Sequence, residues 1–338
     1  MKKMLNTLYI TKQETYLHKE RETIVIKNGK EKIGQFPIIN ISNIFCFGNV
    51  SISPFLMGHC GENGVGLAFY TQYGKFLARV QGKQTGNVVL RRTQYRWADD
   101  TEKSVSIAKL IIAAKIANSR SVLMRELRNH GKSETIELAI KKLAVNLRQI
   151  KAKQAIPDIL GVEGDAASTY FAVFNDLLRN DDFTFKTRNR RPATDEVNAL
   201  LSFAYTLITH ECSSALQGVG IDSYVGFLHQ DRPGRQSLSL DLLEEFRSWW
   251  ADRFVLTLLN RKQLNKKDFD VQSSGAVRLT DKGRKVFLTA WQERKQVEIM
   301  HPYLNEKVPI GMLPHVQALL LARHLRGDTK YYPPFLVK

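Results

Sequence analysis

The first hundred residues and the rest of the chain differ in their hydrophobic pattern. Up to about Gln94, apolar residues form short runs separated by Asn-Gly and Gly-Lys turns, which is typical of β-strands. Asn28-Gly29 between two such runs predicts a hairpin. From Asp99 onward, apolar residues recur every three or four positions, which indicates helices. The pattern therefore predicts an α+β protein, with a β-sheet domain of roughly six to ten strands over residues 1–97 and an all-helical domain over residues 98–338.

One acidic residue interrupts the apolar pattern of a predicted helix. Between Gly161 and Leu178, Tyr170 and Phe174 belong to one apolar stripe, and Glu163 lies within about 20° of Phe174 on a helical projection. A carboxylate on that face would be buried, which costs free energy unless the charge is compensated. Glu163 therefore needs an arginine partner, a bound proton or a metal ion.

A loop and a second helix supply further candidates for a functional site. His229 lies in the loop, and the helix carries Asp241, Glu244 and Glu245 away from its predicted buried stripe. Asp241 is one turn from either glutamate, and periodicity alone does not choose between them. Taken alone, these acids are better explained by a solvated first helical turn, and His229 is better explained as an ordinary loop or core residue. Together with Glu163, however, they form the oxygen and nitrogen ligand set of Mg²⁺ or Mn²⁺.

The charge of the chain indicates the partner of such a site. With 50 Lys and Arg residues against 33 Asp and Glu, the formal net charge is +17 and the isoelectric point is about 9.7. This excess indicates binding to nucleic acid, although general surface basicity is the alternative. A divalent ion near a phosphodiester could polarise a phosphoryl oxygen and activate a water molecule or a 3′-hydroxyl.

Cysteine content and hydropathy exclude two other classes of protein. Cys46, Cys60 and Cys212 lack the paired spacing of a disulfide framework or a zinc ribbon, so we expect reduced thiols in the core. No run reaches the roughly 18 apolar residues that span a bilayer. We therefore expect a cytoplasmic protein without a membrane partner.

Four sequence blocks, taken in order, resemble the CRISPR-associated endonuclease family Cas1 over essentially the whole chain. The blocks are Gly161-Val162-Glu163-Gly164, Arg191-Pro192-Ala193-Thr194-Asp195-Glu196-Val197-Asn198, Gly226-Phe227-Leu228-His229 and Asp241-Leu242-Leu243-Glu244. Residues 319–335 are similar to the subtype I-C branch. The resemblance implies an N-terminal β-domain that dimerises and a helical catalytic domain.

The resemblance also implies which residues act. Glu163, His229 and Glu244 would be the catalytic residues and the ligands of the divalent ion, which selects Glu244 over Glu245 and makes Asp241 a supporting acid. Two residues of the next helix, Asn198 and Tyr205, are expected to line the same pocket, with helix packing as the alternative. Five arginines around the site are expected to contact DNA phosphates unless they are solvated surface charges: Arg188, Arg190, Arg191, Arg232 and Arg235.

The reaction implied by the resemblance is the insertion of short DNA spacers into a CRISPR array, a step of antiviral defence. A spacer 3′-hydroxyl attacks a phosphodiester of the repeat, and the same site can cut branched DNA. Family members act as two homodimers bridged by Cas2 in a heterohexamer, and the aromatic segment 331–335 is a candidate partner contact. The alternatives are a non-catalytic, basic nucleic-acid scaffold and a metal-dependent nuclease acting on RNA.

Overall fold

The computed structural model describes residues 6–72, 74, 76–80, 82, 88–190 and 192–337. These residues form two compact units. The first combines described residues of Met1–Thr85 with Leu279–Val297 and Pro309–Met312, and the second comprises the rest of the chain. The boundary thus lies before residue 88 rather than at residue 97. It shifts because the helix Val88–Asp99 packs against helices of the second unit.

The first unit contains two four-stranded sheets. Its strands, in chain order, are β1 Asn6–Ile10, β2 Thr15–Glu20, β3 Thr23–Asn28, β4 Glu31–Pro37, β5 Ile41–Phe47, β6 Val50–Ile52, β7 Gly66–Tyr70 and β8 Phe76–Val80. One sheet has the order β1-β5-β7-β8 and the other β4-β3-β2-β6. Strands β3 and β4 pair from Asn28 opposite Glu31, and Gly29 in the connecting turn has a φ of 59°, which confirms the predicted hairpin.

A shared apolar core fills the first unit. Leu17, Ile24 and Ile44 are fully buried in it, together with Cys46 and Cys60. Helix α1, Pro54–Glu62, begins at Ser53, whose side chain accepts a hydrogen bond from the Leu56 amide. Burial raises the pKa of both thiols to about 12, which agrees with the expectation of unreactive core cysteines.

A helix from late in the chain also belongs to the first unit. Helix α9, Asp281–Gln296, buries Phe287 and Trp291, and its Lys295 donates a hydrogen bond to Thr7 Oγ1 at 3.0 Å. The prediction of one helical domain over residues 98–338 was therefore wrong for this segment. Helical periodicity identifies the helix but does not say which core receives its apolar face.

The second unit is built mainly from helices. They are α2 Val88–Asp99, α3 Thr101–His130, α4 Glu134–Ala152, α5 Ile156–Ala172, α6 Glu196–Gly218, α7 Ser237–Glu244, α8 Arg253–Asn260 and α10 Leu313–Leu325. The long helix α3 packs against α4, α5 and α7 and thereby gathers segments that lie far apart in sequence. No helix of the described residues is long and apolar enough to cross a bilayer.

Two short hairpins interrupt the helices, so the C-terminal half is not all-helical as predicted. They pair β9 Phe269–Val271 with β10 Val277–Leu279, and β11 Glu298–Met300 with β12 Lys307–Pro309. Between α7 and α8 the chain forms a π-helical turn, Arg247–Asp252. Such turns are rare and frequently occur at functional sites.

Candidate active site

Glu163 lies at the edge of the buried face of α5. That face consists of Ile159, Val162, Ala166, Thr169 and Tyr170, and 23% of the Glu163 side chain remains exposed. Helix α5 ends at Ala172, and Phe174 begins a separate 3₁₀ turn. The single stripe running through Phe174 was therefore wrong, and the carboxylate is half-buried rather than buried.

The acids of α7 are more buried than the sequence suggests. Asp241 and Glu245 are 0% exposed and Glu244 is 3% exposed, so the solvated helical face considered for them is wrong. Helix α7 is enclosed because it packs against α3, α6 and α10. Each acid must therefore be compensated inside the protein.

Lys115 joins two of the predicted ligands. This residue of α3 makes ion pairs with Glu163 Oε1 and with Glu244 Oε2, the latter at 2.7 Å. Arg247 Nη2 lies 2.9 Å from the other oxygen, Glu244 Oε1. Burial alone would raise the pKa of Glu244, but Arg247, Lys115 and His229 outweigh it and lower that pKa to about 2. Glu244 is therefore a carboxylate surrounded by cations.

Asp241 orients His229. Asp241 accepts hydrogen bonds from the backbone amides of Phe227, Leu228 and His229, and its Oδ1 lies 2.6 Å from His229 Nδ1. A carboxylate only accepts hydrogen bonds, so Nδ1 is the donor and Nε2 is the ring nitrogen on the side of Glu244. Nε2 lies 4.0 Å from Glu244 Oε1. A histidine fixed by a carboxylate in this way is typical of metal ligands.

The loop that carries His229 depends on a glycine. A Cβ atom at Gly226 would lie 2.9 Å from Asp241 Oδ2, 2.9 Å from the His229 carbonyl oxygen and 2.9 Å from Ser237 Cβ. Only a residue without a side chain lets the loop approach Asp241 this closely. This contact explains the glycine three residues before the histidine.

A cavity of about 60 Å³ lies beside Glu163. Its walls include Lys115, Arg188, Arg190, Tyr205 and Arg247. The guanidinium carbons of Arg188 and Arg247 lie 5.4 and 5.1 Å from the centroid of the Tyr205 ring, and the Tyr205 hydroxyl donates to Asp252 Oδ1 at 2.6 Å. The cavity therefore combines fixed positive charge with an aromatic surface, which suits a phosphate group.

The remaining predicted residues lie in different surroundings. Asn198 is fully buried and does not line this cavity; its Oδ1 accepts a hydrogen bond from Arg188 Nη1 at 2.7 Å. Arg232 is exposed and Arg235 half-buried in the loop between His229 and α7. Arg191 lies outside the described residues. Three site residues, Lys115, Arg247 and Asp252, were not predicted from the sequence. Only Arg247, three residues after Glu244, carried a local signal.

Buried Asp252 makes stability depend on pH. Burial raises its pKa from 3.8 to about 6, against the lowering effects of Tyr205, Arg188 and Arg247. Its contribution to stability is therefore complete below pH about 4 and lost as the pH rises through about 6, a change of roughly 3 kcal/mol. Urea unfolding across this range should show Asp252→Asn gaining stability relative to the parent as pH rises. A difference that is independent of pH would contradict the shifted pKa.

The predicted ligands fit a divalent ion by their chemistry, although they do not form a closed metal cage. Within the described ranges, no three His, Cys, Asp or Glu residues converge as a metal cluster. Lys115 instead places an ammonium group between Glu163 and Glu244. The buried Glu244 Oε2 lies 2.7 Å from the Lys115 ammonium nitrogen, so a cation already occupies the place beside it. Two carboxylates that already hold a cation, beside an oriented imidazole, suit Mg²⁺ or Mn²⁺.

Known proteins resemble this chain over most of its length. A family model described as CRISPR associated protein Cas1 matches residues 8–293. CRISPR-associated endonuclease Cas1 1 of Chlorobaculum tepidum is 48% identical over 341 aligned residues, which cover 99% of each chain.

Two solved structures share the fold. A casposase bound to integration product superposes with a TM-score of 0.83 at 24% identity, over 96% of this chain and 92% of that one. A chain of a Cas6-RT-Cas1–Cas2 complex gives a TM-score of 0.80 at 20% identity, over 98% of this chain and 36% of that one. From the family model and the identity to its relative, the chain belongs to the family of CRISPR-associated Cas1 proteins.

Proposed function

We propose that this protein is a divalent-metal-dependent DNA endonuclease and integrase of CRISPR adaptation. The observation that carries the proposal is that Lys115 joins Glu163 to Glu244 and that His229 Nε2 lies 4.0 Å from Glu244 Oε1. Arginines line the cavity beside Glu163. The name of the Chlorobaculum relative supports nuclease activity. The casposase, whose structure contains an integration product, supports DNA joining.

Glu163, Glu244 and His229 would hold the ion, Mg²⁺ or Mn²⁺. When bound, the ion would polarise a phosphoryl oxygen and assist deprotonation of a water molecule or a 3′-hydroxyl. Asp241 keeps His229 Nε2 available by holding Nδ1. Asn198, as a supporting residue, acts through Arg188, to which its side chain is hydrogen bonded.

The arginines around the cavity would bind the DNA backbone. Arg188, Arg190 and Arg247 line the cavity, and guanidinium groups form strong paired hydrogen bonds with phosphate oxygens. Arg232 and Arg235, together with Arg191, would extend the contact along the strand. These contacts position DNA without reading its sequence.

The proposed assembly contains two homodimers of this chain and Cas2, in a heterohexamer that binds spacer DNA and the CRISPR repeat. The Cas2-containing complex with the same fold supports this choice of partner. Dimerisation would use the first unit, where Ile33, Phe36 and Ile39 of β4 and the turn after it are exposed. Subtype I-C is proposed from the sequence pattern of residues 319–335, and the location is proposed to be the cytoplasm.

A chelator experiment tests the function. Labelled branched DNA and spacer-like DNA with a free 3′-hydroxyl are incubated with the protein and Mn²⁺, with and without excess EDTA. We expect cleavage and joining to require Mn²⁺, and DNA binding to survive EDTA because the arginines provide it. Products that persist in EDTA would contradict metal dependence.

Two further outcomes would replace the proposal. Binding without any cleavage or joining under either condition would favour the basic scaffold. Cleavage of a matched branched RNA at the same rate as the DNA would favour a metal-dependent RNA nuclease. Comparing the two substrates at one salt concentration is essential, because affinity for phosphates falls steeply with salt.

A further inference from the structure

Glu245, next to the proposed ligand Glu244, belongs to a separate buried network. Its Oε1 accepts a hydrogen bond from the Tyr332 hydroxyl at 2.6 Å. Its Oε2 accepts from the Phe335 amide at 2.7 Å and from Gln317 Nε2 at 2.9 Å. The neighbouring glutamates therefore face different partners: Glu244 contacts the cations of the site, and Glu245 contacts residues 332–337, which we name the strap.

Asn118 connects the strap to the helix that carries Lys115. Lying three residues after Lys115 on α3, it donates from Nδ2 to the carbonyl oxygens of Glu245 and Phe335, both at 2.9 Å. Its Oδ1 accepts from the Val337 amide at 2.9 Å. One buried amide therefore joins α3, the end of α7 and the strap.

Aromatic packing completes the strap. Phe335 is fully buried and lies against Phe246, Trp249 and His301, at centroid distances of 5.8, 5.2 and 5.8 Å. Tyr332 is 1% exposed. The hypothesis that this aromatic segment contacts a partner protein was therefore wrong for these two side chains, which pack within their own chain.

The end of α7 needs such external support. The helix stops at Glu244, and the amide of Glu245 reaches the Leu242 carbonyl oxygen at 3.4 Å, the long end of the hydrogen-bond range. A π-helical turn begins at Arg247. Where regular helical bonding weakens, contacts from other segments fix the backbone.

We propose that Asn118, Glu245 and the strap are positioning residues, which hold Glu244 and Lys115 at the separation that the active site requires. The inference rests on the proposed function for the role of Glu244. It assigns to residues 332–337 a part in catalysis without contact with DNA or metal. Reacting groups that shift by about 1 Å lose much of their effect. Loosening the contacts among Asn118, Glu245 and the strap should therefore lower activity without removing any ligand.

The test compares Asn118→Ala with Asn180→Ala in the full chain. Asn180 is a matched control: it is also buried, donates to the Leu259 carbonyl oxygen at 3.1 Å and accepts from the Asp182 amide at 3.2 Å. Both variants lose buried amide hydrogen bonds, but only Asn118 contacts Glu245 and the strap. Unfolding in urea is measured for both, so that their losses of stability can be compared.

Two readouts distinguish positioning from general destabilisation. Amide hydrogen exchange is followed in peptides covering residues 110–120 and 238–250, and Mn²⁺ affinity is measured by titration calorimetry. In Asn118→Ala we expect exchange at residues 242–247 to become at least about tenfold faster and Mn²⁺ affinity to fall about 10- to 100-fold. In Asn180→Ala both should remain near the parent values at an equal loss of stability.

Tyr332→Phe keeps the test decisive if Asn118→Ala does not fold. It removes the hydroxyl that donates to Glu245 and leaves the ring in place, so a smaller change in the same direction is expected. The inference would be overturned if amide exchange at residues 242–247 in both Asn118→Ala and Tyr332→Phe were as slow as in Asn180→Ala. A parent protein that binds no Mn²⁺ would contradict the proposed function instead. Amide exchange would then still decide whether the strap holds Glu244 and Lys115 in place.

Discussion

Glu244→Ala is expected to abolish DNA cleavage and joining and to lower the free energy of unfolding by about 3–5 kcal/mol. The carboxylate is buried and contacts Lys115 and Arg247, at 2.7 and 2.9 Å. Alanine would leave both largely buried cations without this acceptor, and uncompensated buried charge is costly. Urea unfolding and a cleavage assay measure the two effects separately.

Two controls separate catalysis from stability in that experiment. Glu163→Gln should lose activity as completely, but at a smaller cost in stability, because 23% of its side chain is exposed. Glu196→Ala removes a similar glutamate, 16% exposed and paired with Lys266 at 2.8 Å, away from the site. It should cost no more than about 1 kcal/mol and leave activity intact. Full activity in Glu163→Gln would contradict the assignment of metal ligands.

Lys115→Met is expected to make the protein depend on a divalent ion for its stability. Without the ammonium group, Glu163 and Glu244 face each other without the cation that now joins them. The protein in EDTA should lose about 3–5 kcal/mol, as expected when one partner of a buried ion pair is removed. Mn²⁺ should restore much of this loss, because an ion that binds only the folded state stabilises it by an amount that grows with the logarithm of its concentration over Kd.

The measurement is thermal unfolding in EDTA and in Mn²⁺. Mn²⁺ should raise the Tm of Lys115→Met by more than it raises the Tm of the parent. Lys142→Met provides the control, because Lys142 also pairs with an acid of α5, Asp165, at 2.8 Å, but is 54% exposed. It should show the parent response. An equal Mn²⁺ effect in all three proteins would mean that the ammonium group and the ion do not compete for one place.

The sequence could predict those features that depend on local chemistry. The hairpin at Asn28-Gly29 follows from turn preferences of adjacent residues, and helix α3 follows from its periodicity. Periodicity also singled out Glu163 and drew attention to Asp241 and its neighbours. It could not separate Glu244 from Glu245. The structure shows why: both are buried, and they differ only in partners that come from distant segments, Lys115 for one and Tyr332 for the other.

What the sequence could not predict depends on long-range packing. A lysine on a long amphipathic helix gives no sign that it lies between two carboxylates, so Lys115 was missed. Asp252 is concealed in the same way, because its hydrogen bond to Tyr205 joins the π-helical turn to α6. The arginines were identified by charge alone, and the structure places Arg188 and Arg190 at the cavity but Arg232 on an exposed loop.

Helix α9 affects how this chain can fold during synthesis. The first unit receives Phe287 and Trp291 from a segment that the ribosome produces only after the whole of Gly86–Arg278. Domains that are continuous in sequence can fold as they emerge, N-terminal part first. In this chain the first unit cannot bury Phe287 and Trp291 until their segment has been made. We therefore expect the N-terminal part to complete its fold only late in synthesis, after most of the second unit has emerged.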